Sequence, residues 1–253
     1  MKSKNLLFLI GICFVVILPS CKKNILNCKL GKYYLSDGTS TPAPNVFSYY
    51  EDGRLKLIVH TDGAKDTLSY NADTLTILSY DNTGVPVENF TGLLNSSGSV
   101  VSVIRNTLDF SGNITATDYI VFEYNANGNL TKQTTNNTSG ATILSLGYDG
   151  GNTATGSLYI SGILNKRYVF YHNNALNKTG IADLSGEVTP YFGKSSANLL
   201  DSIRIIQPAI SDTVRIQYAH TLDNNDYVSS TIQTWLTGGE QTKYHTYQYF
   251  DCE

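Results

Sequence analysis

The sequence predicts an all-β fold: a large antiparallel meander of successive hairpins, curled into a barrel or half-barrel and holding one short helix at most. Three observations carry the prediction. Charged residues are only 15% of the 253, while 18 tyrosines and 21 glycines sit among many Ser, Thr and Asn, a mixture of strand formers and turn formers. Between the turns, apolar and polar residues alternate, so each strand has one buried and one wet face. Turn signals of Asp, Asn and Gly recur along the chain with no crossover helix between them, which joins neighbouring strands antiparallel. A sheet of this size must curl, and closure removes its edges. With 41% hydrophobic residues the chain has enough apolar mass for a full core.

The elements follow in order. Residues 1–20 read as an export signal: Lys2 and Lys4, an apolar run from Leu6 to Leu18, then Pro19 and Ser20. The run falls short of the roughly 20 residues a permanent span needs. Leu18-Pro19-Ser20-Cys21 resembles the bacterial lipobox, which makes Cys21 the lipidated residue. Acyl chains at about 0.8 kcal/mol per buried CH₂ then hold the domain on a membrane. Residues 21–45 read as tether and lead-in, and 46–253 as a single antiparallel β domain.

Two further cysteines remain in the mature chain, Cys28 and Cys252, near its opposite ends. In an exported, disulfide-permissive setting, and with domain termini often close together, they are expected to pair.

From Phe47 onward a strand ending in Tyr or Phe is followed by an Asx/Gly turn and a second alternating strand. The clearest copies are Tyr49 to Leu57 and Phe122 to Lys132, with weaker ones at Tyr80, Leu94, Tyr148, Tyr171 and Leu222. Gly238-Gly239 joins a strand containing Ile232 and Trp235 to a last strand from Thr242 to Phe250. Ser195 to Asp201 is the one segment that reads as a short helix or 3₁₀ turn.

Tyr124-Asn-Ala-Asn-Gly-Asn-Leu130, Tyr191-Phe-Gly-Lys-Ser-Ser-Ala-Asn-Leu-Leu200, the unit from Tyr218 to Val228 and the closing Tyr247-Gln-Tyr-Phe-Asp-Cys252 together resemble Bacteroidota lipoproteins with degenerate YD-type repeats. These include the family called domain of unknown function 4595. The resemblance covers nearly all of the mature chain. It implies an exported, anchored, all-β domain with a porin-like meander, and it brings no catalytic residues with it. Lys22-Lys23-Asn24 departs from the acidic export signal that many surface lipoproteins of this phylum carry, which leaves both faces of the outer membrane open.

Several chemistries lack support. Lys plus Arg (18) nearly balance Asp plus Glu (21) for a net charge of -3, so nothing forms the basic footprint of nucleic-acid binding. Gly193-Lys194-Ser195 lacks the earlier glycine of a phosphate loop, since Val188 stands there. His60, His172, His220 and His245 show no metal-ligand spacing, and no serine-hydrolase elbow is present. Asp223 and Asp226 read as a hairpin turn rather than a calcium loop. A carboxylate pair for glycoside hydrolysis can be assembled only in space.

Two softer signals remain. Asp-Ser/Thr-aliphatic triplets place candidate O-glycosylation at Thr67, Thr74, Ser202 and Thr213. Trp235, Tyr244, Tyr247 and Tyr249 gather near the last hairpin as a candidate aromatic binding strip, although strand packing accounts for tyrosines equally. The expectation is a non-enzymatic outer-membrane lipoprotein, without cofactor or metal, that binds or scaffolds something in the envelope. A carrier of an apolar ligand within a barrel cavity and a surface glycan-binding protein are the alternatives. Its partners are the membrane, through the anchor, and a glycan or envelope protein.

Overall fold

The computed structural model describes residues 28–39, 42–178, 195–210, 212–237 and 241–250. They form sixteen strands. The first eight are β1 (Lys29–Ser36), β2 (Asn45–Tyr49), β3 (Leu55–Val59), β4 (Lys65–Asn71), β5 (Thr74–Tyr80), β6 (Pro86–Leu94), β7 (Val100–Leu108) and β8 (Ile114–Tyr124). The second eight are β9 (Leu130–Asn137), β10 (Gly140–Asp149), β11 (Asn152–Ile160), β12 (Ile163–Leu176), β13 (Asn198–Gln207), β14 (Asp212–Leu222), β15 (Val228–Trp235) and β16 (Gln241–Phe250). Each pairs antiparallel with the next, and β1 pairs with β16 from Lys29↔Phe250 to Ser36↔Tyr244. The meander is therefore a closed barrel, not a half-barrel.

One turn recurs in seven of the hairpins. Asn125 N donates to Asn129 O and Gly128 N to Asn125 O, while Asn125 Oδ1 accepts from the N–H groups of Asn127 and Asn129. The same backbone pair of bonds recurs in loops starting at Tyr50, His60, Asp81, Asn95, Asp109 and Asp223. The fourth residue must take a positive φ, which is why it is glycine in six of the seven and Asp226 (φ 62°) in the last.

The tyrosines that end strands at the Lys29/Phe250 end of the barrel have a second task. The Tyr124 hydroxyl donates to Val100 O, Tyr70 to Leu55 O, Tyr148 to Leu130 O, Tyr49 to Leu30 O and Tyr249 to Val228 O. In each case the acceptor is the first or second residue of the preceding strand. A Tyr-turn-Leu unit thus closes one hairpin while its tyrosine latches back onto the strand before it, and the repeat has a structural meaning.

Three expectations change. Ser195 to Asp201 is not helical: Asn198–Asp201 opens β13, where Leu199 and Leu200 are buried, and the burial of two adjacent leucines against strand neighbours outweighs a weak two-turn helix. The one helical element among the described residues is the 3₁₀ turn Pro208–Ile210. Tyr171 to Asn174 does not turn, since β12 runs on to Leu176 through a bulge at Tyr171/His172. The expected lead-in, 21–45, holds β1 within it. Gly238-Gly239 and Gly193-Lys194 lie outside the described residues.

The register sorts side chains onto two faces. Leu55, Leu68, Leu75, Val103, Ile120 and Phe122 pack together on the inner face of β3–β8. Leu30, Tyr33, Leu199, Val228 and Tyr247 form a second inner cluster, and Phe170, Leu200 and Ile203 a third. The outer face carries the alternate residues. It reads Lys65, Thr67, Ser69 and Asn71 on β4, Lys132, Thr134 and Asn136 on β9, and Arg204 beside Arg215 across β13 and β14. The buried apolar clusters therefore point inward, while the outer face mixes these hydroxyls, amides and charges with exposed apolar side chains such as Leu93, Ile104, Val121, Ile232 and Tyr244.

Candidate functional site

The inner face of β14, β15, β16 and β1 carries a chain of buried polar and aromatic groups. Register places His220, Thr231 and His245 in one row and Tyr218, Gln233 and Lys243 in the next, with Trp235 beyond them toward the end opposite Lys29 and Phe250. Trp235, the last residue of β15, thus lies near the rim of the barrel at that end. Because strand neighbours align these residues, their separation along the chain does not matter.

The hydrogen bonds fix a single direction of donation. Tyr33 Oη and His245 Nδ1 are 2.7 Å apart, His245 Nε2 is 3.1 Å from Gln233 Oε1, and Gln233 Nε2 donates to Tyr218 Oη at 3.2 Å. Gln233 Oε1 can only accept, so His245 carries its proton on Nε2, and Tyr33 donates to the free Nδ1. A second chain ends on a carbonyl: His220 Nε2 donates to Leu200 O at 2.6 Å, so its Nδ1 accepts from Thr231 Oγ1 at 2.8 Å. Thr231 also hydrogen-bonds the Tyr247 hydroxyl, and Tyr247 stacks on Tyr33.

Electrostatics keep the network neutral. Burial, then Lys243 and His220, holds the His245 imidazole down to about 4. Burial lowers His220 too, against the raising effects of its bond to Leu200 O and of Asp201, and it raises the Tyr247 phenol. An uncharged imidazole is what a low-dielectric wall selects. Above the network the Lys243 ammonium lies 5.1 Å from the Trp235 ring centroid.

Elsewhere the inner face carries polar pairs. His60 bonds Asp66 at 2.8 Å, and Arg105 bonds Asp118. Asp66 thus meets an imidazole and Asp118 a guanidinium. On β10 and β11 the inward-phase residues Leu144, Leu146 and Leu158 are only half-buried. Inward side chains that still meet solvent require a space inside the ring of strands, as sixteen strands generally leave. Among the described residues no three of His, Cys, Asp and Glu gather as a metal site.

The candidate residues from the sequence fare differently. Trp235, Tyr247 and Tyr249 point into the barrel and Tyr244 points out at 42% exposure, so the four rings do not share one face. Thr67 is exposed and Thr74 and Thr213 half-buried, while Ser202 is enclosed and offers no accessible hydroxyl. Asp223 Oδ1 caps its turn and Asp226 bonds Lys178 at 2.8 Å, as a turn requires. Cys28 is disulfide-bonded; Cys252 and Cys21 lie outside the described residues. Sequence reasoning missed Tyr33, Tyr218, Gln233 and both histidines. The only trace of them in the chain is the shared phase of His245, Tyr247 and Tyr249.

Fold and site together define a closed antiparallel barrel whose inner wall carries a buried network of tyrosine, histidine, threonine and glutamine side chains. Solved structures share the fold. A porin-like protein from Bacteroides uniformis superposes with a TM-score of 0.65 at 18% identity, over 87% of this chain and 98% of that one. A porin-like protein from Bacteroides vulgatus gives 0.59 at 14% identity over the same shares. No protein-family model and no curated protein matches the sequence.

Proposed function

We propose that this chain is a lipid-anchored protein of the cell envelope whose barrel binds a ligand in its lumen, without transforming it. The observation that carries the reading is the placement of charge against apolar surface: Leu68, Leu75, Phe122 and Tyr247 line the inside, and Arg204 stands beside Arg215 on the outside. Arginine in the middle of a lipid-facing strand costs about 2–4 kcal/mol, so Arg204 and Arg215 suit a barrel that stands in water. The inner wall offers half-buried leucines for an apolar body, and Trp235 with Lys243 near the rim for a polar end. The carrier reading therefore moves ahead of scaffolding. Acylation of Cys21 would tie the Lys29 end to the outer membrane and turn that rim away from it.

The single tryptophan stands on the inner face and reports on the lumen. Chain carrying Cys21→Ser, purified without detergent, is titrated with N-phenyl-1-naphthylamine while energy transfer from Trp235 is followed. The expected result is saturable binding with transfer that disappears in Trp235→Phe, although the probe still binds. Binding that never saturates, or no transfer from Trp235, would sink the lumen reading. Anchoring is tested separately: Cys21→Ser should leave the membrane fraction, and an unchanged partition would remove the lipoprotein reading.

A further inference from the structure

The first five residues of β8, 114–118, outrun β9, whose last partnership with β8 is Tyr119↔Asn136. They stay paired with β7 on their other side. The step between this free edge and the turn after Asn137 forms an open cleft of about 480 Å³, lined by Ile114, Thr115, Ala116, Thr117, Tyr119, Asn136, Asn137 and Thr138. None of the eight is charged. Tyr119 is 56% exposed on the outer face, so its aromatic ring stands in water, and Ile114 at the far end of the overhang is 60% exposed. Around them are two amides and three hydroxyls. Thr117 Oγ1 donates to Asn106 Oδ1 at 2.8 Å and Thr115 Oγ1 to Thr107 O at 3.2 Å, which leaves both hydroxyls able to accept.

We propose that this cleft is a carbohydrate-binding site, with a neutral sugar stacked on Tyr119. A pyranose has an apolar C–H face and a rim of hydroxyls that both donate and accept, and the lining mirrors both. Amides and hydroxyls donate and accept equally, a tyrosine ring supplies a flat apolar platform, and the lack of charge disfavours anionic and cationic ligands alike. The exposed ring is also difficult to explain by packing, because its register neighbours Ile104 and Asn136 are themselves exposed. Thr117, Tyr119 and Asn136 stand on the outer face and the cleft uses none of the residues of the lumen network, so it stands or falls apart from the lumen reading.

Native affinity electrophoresis of the full chain through gels containing dextran, mannan, xylan or β-1,3-glucan tests it. At least one polysaccharide should retard the protein. Tyr119→Ala should weaken retardation about tenfold or more, Tyr119→Phe should keep it, and Trp235→Phe should leave it untouched. Asn136→Ala, at an exposed position of the lining, should weaken retardation as well. No retardation in any gel, or retardation that survives Tyr119→Ala, overturns the proposal and leaves the free edge of β8 to an added peptide strand.

Discussion

Tyr124 shows how one side chain can join local and tertiary structure. Its ring packs against the inner cluster of β3–β8, its hydroxyl donates to Val100 O at 2.5 Å, and burial pushes that hydroxyl up to about 12. Tyr124→Phe keeps the ring and removes the bond, so urea denaturation should show a loss of about 1 kcal/mol. His245 makes a prediction of a different kind. Its folded value of about 4 lies below the ordinary 6.5, so between those values the unfolded chain binds the proton and the folded chain does not. The stability from neutral His245 is therefore complete above pH 6.5 and drains as pH falls toward 4, at no more than about 1.4 kcal/mol per pH unit. His220 acts in the same direction. Denaturation midpoints at pH 7 and pH 4.5 should differ in the native protein and differ less in His245→Gln. Equal differences in the two proteins would contradict the buried-imidazole account.

At the scale of the element, the seven Asx/Gly loops set the hairpins and the tyrosine latches set their order. Gly128 sits at φ 82°; Gly128→Ala should cost about 1–2 kcal/mol, measured by thermal unfolding, because a Cβ meets the carbonyl in the left-handed region. The pairing Lys29↔Phe250 brings the two ends of the barrel together at one seam. Cys28 stands one residue before that pair and Cys252 two residues after it. Pairing of these two cysteines is accordingly the reading we favour for the Cys28 disulfide, and closing so long a loop is worth about 4–5 kcal/mol in the chain-entropy model. A non-reducing peptide map should contain a Cys28–Cys252 species; its absence would assign the bond elsewhere. Most of this level was legible beforehand, because turns and strand alternation are written in neighbouring residues. Asn198–Asp201 was not, since its burial depends on partners on β12 and β14. The polar network was illegible for the same reason: Tyr33 and His245 lie 212 residues apart and meet only when β1 closes on β16. The aromatic strip read from Trp235, Tyr244, Tyr247 and Tyr249 grouped residues by proximity in sequence, where strand phase decides which way each ring points.

The whole molecule shares its strand architecture with porin-like barrels, and it holds its buried apolar clusters inside while Lys65, Arg204 and Arg215 stand outside. Alternation alone could not reveal this, because either face of a strand can be the inner one until the barrel closes. Closure put Leu68, Leu75 and Phe122 inside and Lys65, Thr67 and Arg204 outside. The most direct measurement places a reporter on that outer face: Ile104→Trp in a Trp235→Phe background, with the acylated chain reconstituted in vesicles of ordinary or dibrominated phosphatidylcholine. A barrel standing in water predicts the same tryptophan emission in both lipids. Strong quenching by the brominated chains would mean that the outer face lies in the bilayer, and would contradict the account.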